Sequence, residues 1–202
     1  MTPRHALEAA RQNPDYVDLT ELPNVRVDLR YGTINNLLGV DVYGGFQRAL
    51  LHRDAAAKFH KASDFLAAHH PTLSFLIFDA LRPQTAQRQF WNLVKGTPQQ
   101  PYFADPAKGS IHSYGFAIDL TLTNEGGELE MGTGFDDLSP LAEPKLEQEF
   151  LRAGKLSASH IKNRLILREV MVEAGFIQLP HEWWHFDALP PAEVRAAYRL
   201  VE

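Results

Sequence analysis

Two short stretches of this chain carry residues whose types and spacing could do chemistry. The first is Ser110-Ile-His112-Ser-Tyr-Gly115-Phe-Ala117-Ile-Asp119, with six residues between the histidine and the aspartate. Gly115 and Ala117 are small at positions where bulk would crowd the backbone. Asp119 falls inside the apolar run 116–122. An ionised carboxylate buried in such a run is costly unless it is paired or coordinates a metal. His112 is the natural partner; an ion pair with an arginine or a turn cap are the plainer alternatives.

The second stretch is His181-Glu182-Trp183-Trp184-His185, which matches H-E-x-x-H. In helical zinc proteases both histidines of that motif lie on one face and the glutamate is the base. The context here opposes a helix: Pro180 precedes the motif, Pro190-Pro191 follow closely, and tandem aromatics favour strand. Setting His181 aside leaves His112, Asp119 and His185 as a three-ligand site with one open position, as catalytic zinc requires. Glu182 would then stand beside that position and take a proton from water. In a regular strand residues three apart face opposite sides, so Glu182 and His185 converge only where the chain bends or bulges. Pro180 favours such a bend.

Two further residues are chemically suggestive. Arg82 follows the apolar run 73–78, where a fixed guanidinium could steady a developing oxyanion or, more plainly, pair with Asp79 at the surface. Asp136, in an acidic loop after Phe135, could receive a substrate ammonium, cap a helix or sit in solvent.

The elements that must position these groups follow from periodicity. Helices are expected over 3–12, 54–70 with an inner stripe of Phe59, Ala62, Phe65 and Leu66, 84–95 behind Pro83, and 159–174 stopped by Gly175, with a short one from Pro191. Strands are expected over 25–29, 73–78, 116–123, 128–131 after a Gly126-Gly127 turn, 176–179 and 183–187. Residues 31–46 and 96–111 read as loops, and 132–157 as a long acidic irregular stretch. The order lacks strict βαβ alternation. It predicts an α+β fold: a mainly antiparallel sheet with helices on one side.

The 202 residues suffice for one core and favour a single domain over 1–202. With no cysteine, any metal must be held by His, Asp or Glu, and nine histidines make that feasible. A net charge of −5 without a long basic run speaks against nucleic acid and suits a small substrate. No apolar run approaches the roughly 20 residues of a membrane span. The polar segment 1–15 lacks a signal peptide's apolar core, which predicts a cytoplasmic protein, or a periplasmic one whose export signal has been removed. Oligomeric state is not legible.

The frame Ser110-x-His112-x-x-Gly115-x-Ala117-x-Asp119, followed by Glu182-Trp-Trp-His185, resembles the VanX-type D-alanyl-D-alanine dipeptidases. These are zinc peptidases of a family with a hedgehog-like α+β fold, which also holds D,D-carboxypeptidases. The likeness extends over most of the chain, through Asp28-Leu-Arg-Tyr31, Tyr43, Leu51-His-Arg-Asp54, Asp79-Ala-Leu-Arg82-Pro83, Met131-Gly-x-Gly-Phe135-Asp136 and Asn163-Arg164. The resemblance implies one zinc per chain on His112, Asp119 and His185, with Glu182 as general base and Arg82 stabilising the tetrahedral intermediate. It implies that Asp136 binds the dipeptide's amino group and that Ser110, Tyr31 and Tyr43 line the pocket. Ile111 and Tyr114 depart from the family's pattern, at positions where a small polar and a basic residue are frequent. The expected reaction is hydrolysis of D-Ala-D-Ala. The rivals are a carboxypeptidase or mixed-chirality dipeptidase of the same fold acting on peptidoglycan fragments and, more distantly, a non-catalytic zinc-binding module. A 132–157 segment folded over the site with Asp136 inward would favour the dipeptide.

Overall fold

The computed structural model describes residues 1–98, 100 and 104–202. The expected 96–111 loop therefore falls partly outside the described residues. The architecture is mixed α and β. Among the described residues the main sheet runs β2 (Val25–Val27), β4 (Ser74–Asp79), β5 (Ala117–Asn124), β8 (His185–Asp187), β7 (Ile177–Gln178), with β6 (Gly127–Glu128) also on β5. Only the β2–β4 pair is parallel; the other pairings are antiparallel. A two-stranded antiparallel sheet of β1 (Tyr16–Asp18) and β3 (Leu50–His52) was not foreseen. Each strand is only three residues long and carries little periodic signal.

β5 is the axis of the molecule. Its side chains are buried from Ala117 to Thr123, odd and even positions alike. Helices on one side alone would leave alternate positions open, so both faces are covered and the strand reads as a continuous apolar run. α2 (Arg53–His69) buries Phe59, Ala62 and Leu66 from its expected stripe and packs on β4 and on α5 (Ala158–Glu173), which itself reaches β5. α3 (Gln84–Val94) starts directly after Pro83, and α1 (Pro3–Arg11) packs against it. α6 (Pro191–Ala197) follows β8.

Three expectations need correction. The 128–131 strand is shorter: after β6 only Leu129 donates to Leu122, and the Met131 carbonyl is taken by Arg164 of α5. The 132–157 stretch is not wholly irregular, since it contains α4 (Glu147–Arg152). Finally, Trp183 and Trp184 lie in a turn over 180–184, and β8 begins only at His185. Strand propensity there is overridden because both indoles are buried, which fixes the turn by packing.

Gly115 ties the site to the scaffold. It closes the 3-10 turn Ile111–Tyr114 at φ +75°, and its carbonyl accepts from His52 of β3 at 2.9 Å. A Cβ there would stand 2.8 Å from the His52 nitrogen and 2.9 Å from the Tyr16 ring. Gly115→Ala should therefore cost ~2 kcal/mol or more, combining left-handed strain with a backbone clash. Urea unfolding of the two proteins measures this; equal midpoints would show that the turn is not constrained.

Candidate active site

Sheet register assembles the site. Asp119 of β5 lies opposite Asp79 of β4 on one side and opposite His185 of β8 on the other. His112 is delivered by the 3-10 turn immediately before β5. Glu182 comes from the turn before β8, and its Oε2 lies 3.8 Å from His185 Nδ1. The bend that their convergence required is this turn.

His112, Asp119 and His185 offer ligand atoms all within 4.8 Å of one another, and all three residues are buried. His112 Nε2 lies 3.2 Å from His185 Nδ1 and 3.4 Å from Asp119 Oδ2, and His185 Nδ1 lies 2.9 Å from Asp119 Oδ1. Ligands about 2.0–2.1 Å from a tetrahedral zinc lie roughly 3.3 Å from one another, so the spacing fits. The outer nitrogens make the stronger argument. His112 Nδ1 donates to the Ala80 carbonyl at 2.7 Å, and His185 Nε2 donates to Asp187 Oδ1 at 2.9 Å. Each neutral ring thus carries its proton on the outside, and two bare nitrogen lone pairs and a carboxylate converge on one point. Such a cluster is stable only around a cation. Without one a proton serves: burial alone would lower the His185 pKa, but Asp119 and Asp187 hold it well above the usual imidazole range. Burial likewise pushes Asp119 upward, and the charges and hydrogen bonds of His112 and His185 more than reverse it, leaving it well below the usual carboxylate range.

Around these ligands the wall is formed by Tyr31, Arg82, Ser110, Asp136, Leu138 and Glu182. The cavity holds about 140 Å³, well below the roughly 300–1,000 Å³ of drug-sized sites. Arg82 pairs with Asp79, as its plainer reading had it, but in the interior and not at the surface. Its Nε and Nη2 lie 2.9 and 2.7 Å from Asp79 Oδ2, its Nη2 3.7 Å from Asp119 Oδ2, and its Nη1 donates to Gln87 at 3.2 Å. The guanidinium also sits 5.1 Å from the Tyr31 ring and 5.0 Å from the Phe90 ring. Tyr43 does not line this pocket: it is fully buried behind the wall, and its hydroxyl donates to Asp79 Oδ1 at 2.7 Å.

Asp136 faces inward. Tyr31 Oη bonds both its carboxylate oxygens at 3.0 Å. Among the described residues it is the non-glycine with positive φ, at 61°, a strained conformation that turns its side chain over the site. Burial pushes its pKa up to about 7, against the pull of the Tyr31 hydrogen bond. Burial also raises Glu182, with His185 pulling the other way.

His181 is kept out of the cluster: it is exposed, with Nδ1 3.2 Å from Lys145 Nζ and 3.6 Å from Glu143. Ile111 and Tyr114 are buried core residues outside the pocket wall. Sequence reasoning paired Asp79 with Arg82 but missed that it also accepts from Tyr43, and it missed Asp187 altogether. Asp79 stood in a quoted motif, but its role depends on side chains brought in from elsewhere in the fold. Asp187 had a local signal, two residues from His185 on the same strand and hence on the same face.

Comparison with known proteins gives a consistent result. A peptidase M15 family model described as D-ala-D-ala dipeptidase matches residues 12–199. The chain is 36% identical over 189 residues to a D-alanyl-D-alanine dipeptidase of Escherichia coli (strain K12), covering 93% of this chain and 89% of that one. It is 33% identical to one of Enterococcus faecium, over 80% of this chain and 85% of that one. A third, from Synechocystis sp., is 29% identical over 74% and 73% of the two chains.

Alanine at His112, Asp119 or His185 should abolish stoichiometric zinc, while His181→Ala should keep about one equivalent by elemental analysis. Zinc lost from His181→Ala but kept in His112→Ala would instead favour the helical H-E-x-x-H reading. Asp187→Ala should retain the fold and bind zinc ~10–100-fold more weakly, as expected for losing the partner that orients a metal-ligating imidazole. Competition with a fluorescent chelator reads that affinity.

Proposed function

This chain belongs to the M15 peptidase family of D-Ala-D-Ala dipeptidases, and from that premise we propose that it is a zinc-dependent dipeptidase cleaving D-alanyl-D-alanine. We read 1–202 as one catalytic domain of the hedgehog-like α+β type. The observation that carries the reading is the inward Asp136, in the same small pocket as the His112–Asp119–His185 cluster.

In this reading His112, Asp119 and His185 hold one zinc ion. When bound, it supplies a Lewis acid that polarises the scissile carbonyl and eases deprotonation of water. Glu182 takes the proton from the attacking water and delivers it to the leaving amine, so that water and one peptide bond become two free amino acids. Arg82 presents its guanidinium to the oxygen that turns anionic. The Asp79 and Gln87 bonds hold it there, so it does not have to reorganise as charge develops. Asp136, steadied by Tyr31, receives the ammonium of the dipeptide. A carboxylate whose ionised form is poorly solvated gains most from a cationic partner. Ser110 contributes a polar wall.

The carboxypeptidase rival needs room for an acylated amino terminus. In this reading Asp136, which lines the same pocket as the cluster, takes the place from which such a group would extend. A structural zinc module would have no use for Glu182, a carboxylate 3.8 Å from a ligand nitrogen and not itself a ligand.

Glu182→Ala should keep zinc and fold while kcat falls by ~10²–10⁴-fold or more, with KM changed far less. Near-normal kcat would remove Glu182 from the mechanism. Wild-type protein should cleave D-Ala-D-Ala and leave its N-acetyl form intact, and Asp136→Ala should lose activity on the free dipeptide with zinc content unchanged. Equal cleavage of free and acetylated substrates by the wild type would favour the carboxypeptidase.

A further inference from the structure

The residue that sets where Asp136 stands is not in the pocket. The loop bearing Phe135, Asp136 and Leu138 follows the short β6, runs out through Met131 and reaches a 3-10 turn at Pro140–Ala142. Both ends are held by one side chain. Arg164 of α5 is 1% exposed, and its Nε donates to the Met131 carbonyl at 2.7 Å while its Nη2 donates to the Leu141 carbonyl at 3.0 Å. A guanidinium is a rigid planar fork, so the two bonds fix the separation of the loop's ends. Its neighbour Asn163 donates to the Glu130 carbonyl at 2.9 Å, on the same root. Gly132, at φ +85°, packs so tightly on Leu156 and His160 that a Cβ would overlap both.

The same guanidinium reaches the other side of the site. It stands 5.8 Å from the ring of Trp183, whose indole N–H donates to Thr133 Oγ1 of the loop at 2.8 Å. Trp183 is the residue after Glu182. Arg164 therefore ties the loop that carries the ammonium acceptor to the turn that carries the base.

We infer that Arg164 is a positioning residue for substrate length: by clamping Met131 and Leu141 it holds the loop closed, and so enforces the demand for a free ammonium at Asp136. The inference rests on the dipeptidase reading of Asp136. Replacing Arg164 does not strand its acidic neighbour. Glu147 lies 3.5 Å from Arg164 Nη1 but is also bonded by Arg168 Nη2 at 2.8 and 2.9 Å, so it keeps a cationic partner when Arg164 is replaced. A lysine at 164 would retain the charge but cannot bond both carbonyls in the fork geometry.

The test compares wild type, Arg164→Lys, Arg164→Met, Thr133→Val and Asp136→Asn for zinc content, thermal unfolding and kinetics on D-Ala-D-Ala and its N-acetyl form. Arg164→Lys and Arg164→Met should keep zinc and most of kcat. Their KM for the free dipeptide should rise ~10–100-fold, the scale of an ångström's misplacement, and their preference for the free over the acetylated substrate should narrow. Thr133→Val, which removes only the Trp183 bond, should shift both in the same direction by less. Should the buried arginine variants fail to fold, Thr133→Val decides. Wild-type KM and preference in a folded Arg164→Lys or Arg164→Met overturn the clamp, as do wild-type values in Thr133→Val where neither arginine variant folds, or a fall in kcat and zinc content at unchanged preference. If Asp136→Asn itself keeps the wild-type preference, the ammonium reading fails. If Asp136→Asn loses it and the Arg164 variants do not, the clamp alone fails.

Discussion

Two buried carboxylates face each other across adjacent strands, Asp79 at the end of β4 and Asp119 in β5, and the rest of the site answers their charge. Neither could remain ionised in the interior unaided. Arg82 stands between them, bonded to Asp79 and 3.7 Å from Asp119, and is itself held by Gln87. One guanidinium neutralises one carboxylate. Asp119 then needs a second cation, and two imidazoles converge on it with their protons turned outward to Ala80 and Asp187. The cluster is thus built to hold a positive charge, and an N/O donor set with this spacing suits zinc.

Glu182 and Asp136 add two carboxyl groups around the same cavity, both pushed toward their neutral forms by burial. With Asp79 and Asp119 beside Arg82, acidic side chains outnumber the guanidinium around the site. The histidine side is arranged to hold a metal, and in the proposed function Asp136 would take a substrate ammonium. Tyr31 connects the halves: its ring lies under Arg82 and its hydroxyl bonds Asp136. In that reading small volume and polarity act together, because a substrate that lacks the ammonium would forgo the pairing with Asp136 as well as crowd the wall.

The loop over the site is anchored by packing and by hydrogen bonds: Met131 and Ala142 are buried in the core. Phe135 is half-buried, with its ring against Phe78, Tyr31 and Trp184. Hydrogen bonds from Arg164 to carbonyls at the loop's two ends add to that packing. A strained residue such as Asp136 persists only where surroundings over-determine it. Here they are Arg164 below and Tyr31 in front.

The sequence by itself picked out the side chains that the structure brings together in one pocket, and the central elements of the fold. His112, Asp119, Glu182 and His185 could be named because a carboxylate in an apolar run and a glutamate three residues before a histidine are local facts. The helices α2, α3 and α5 and the strands β4 and β5 were legible for the same reason, since periodicity is local. Tertiary structure alone decided the turn that lets Glu182 meet His185, because burial of Trp183 and Trp184 overrides their strand preference. It also decided that Arg82 is interior, that Tyr43 supports Asp79 from behind the wall, and that Arg164 reaches Met131 and Leu141. Those roles depend on which strand lies beside which and on what α5 packs against. Register and packing are properties of pairs distant in the chain, and no local pattern in one segment encodes its partner.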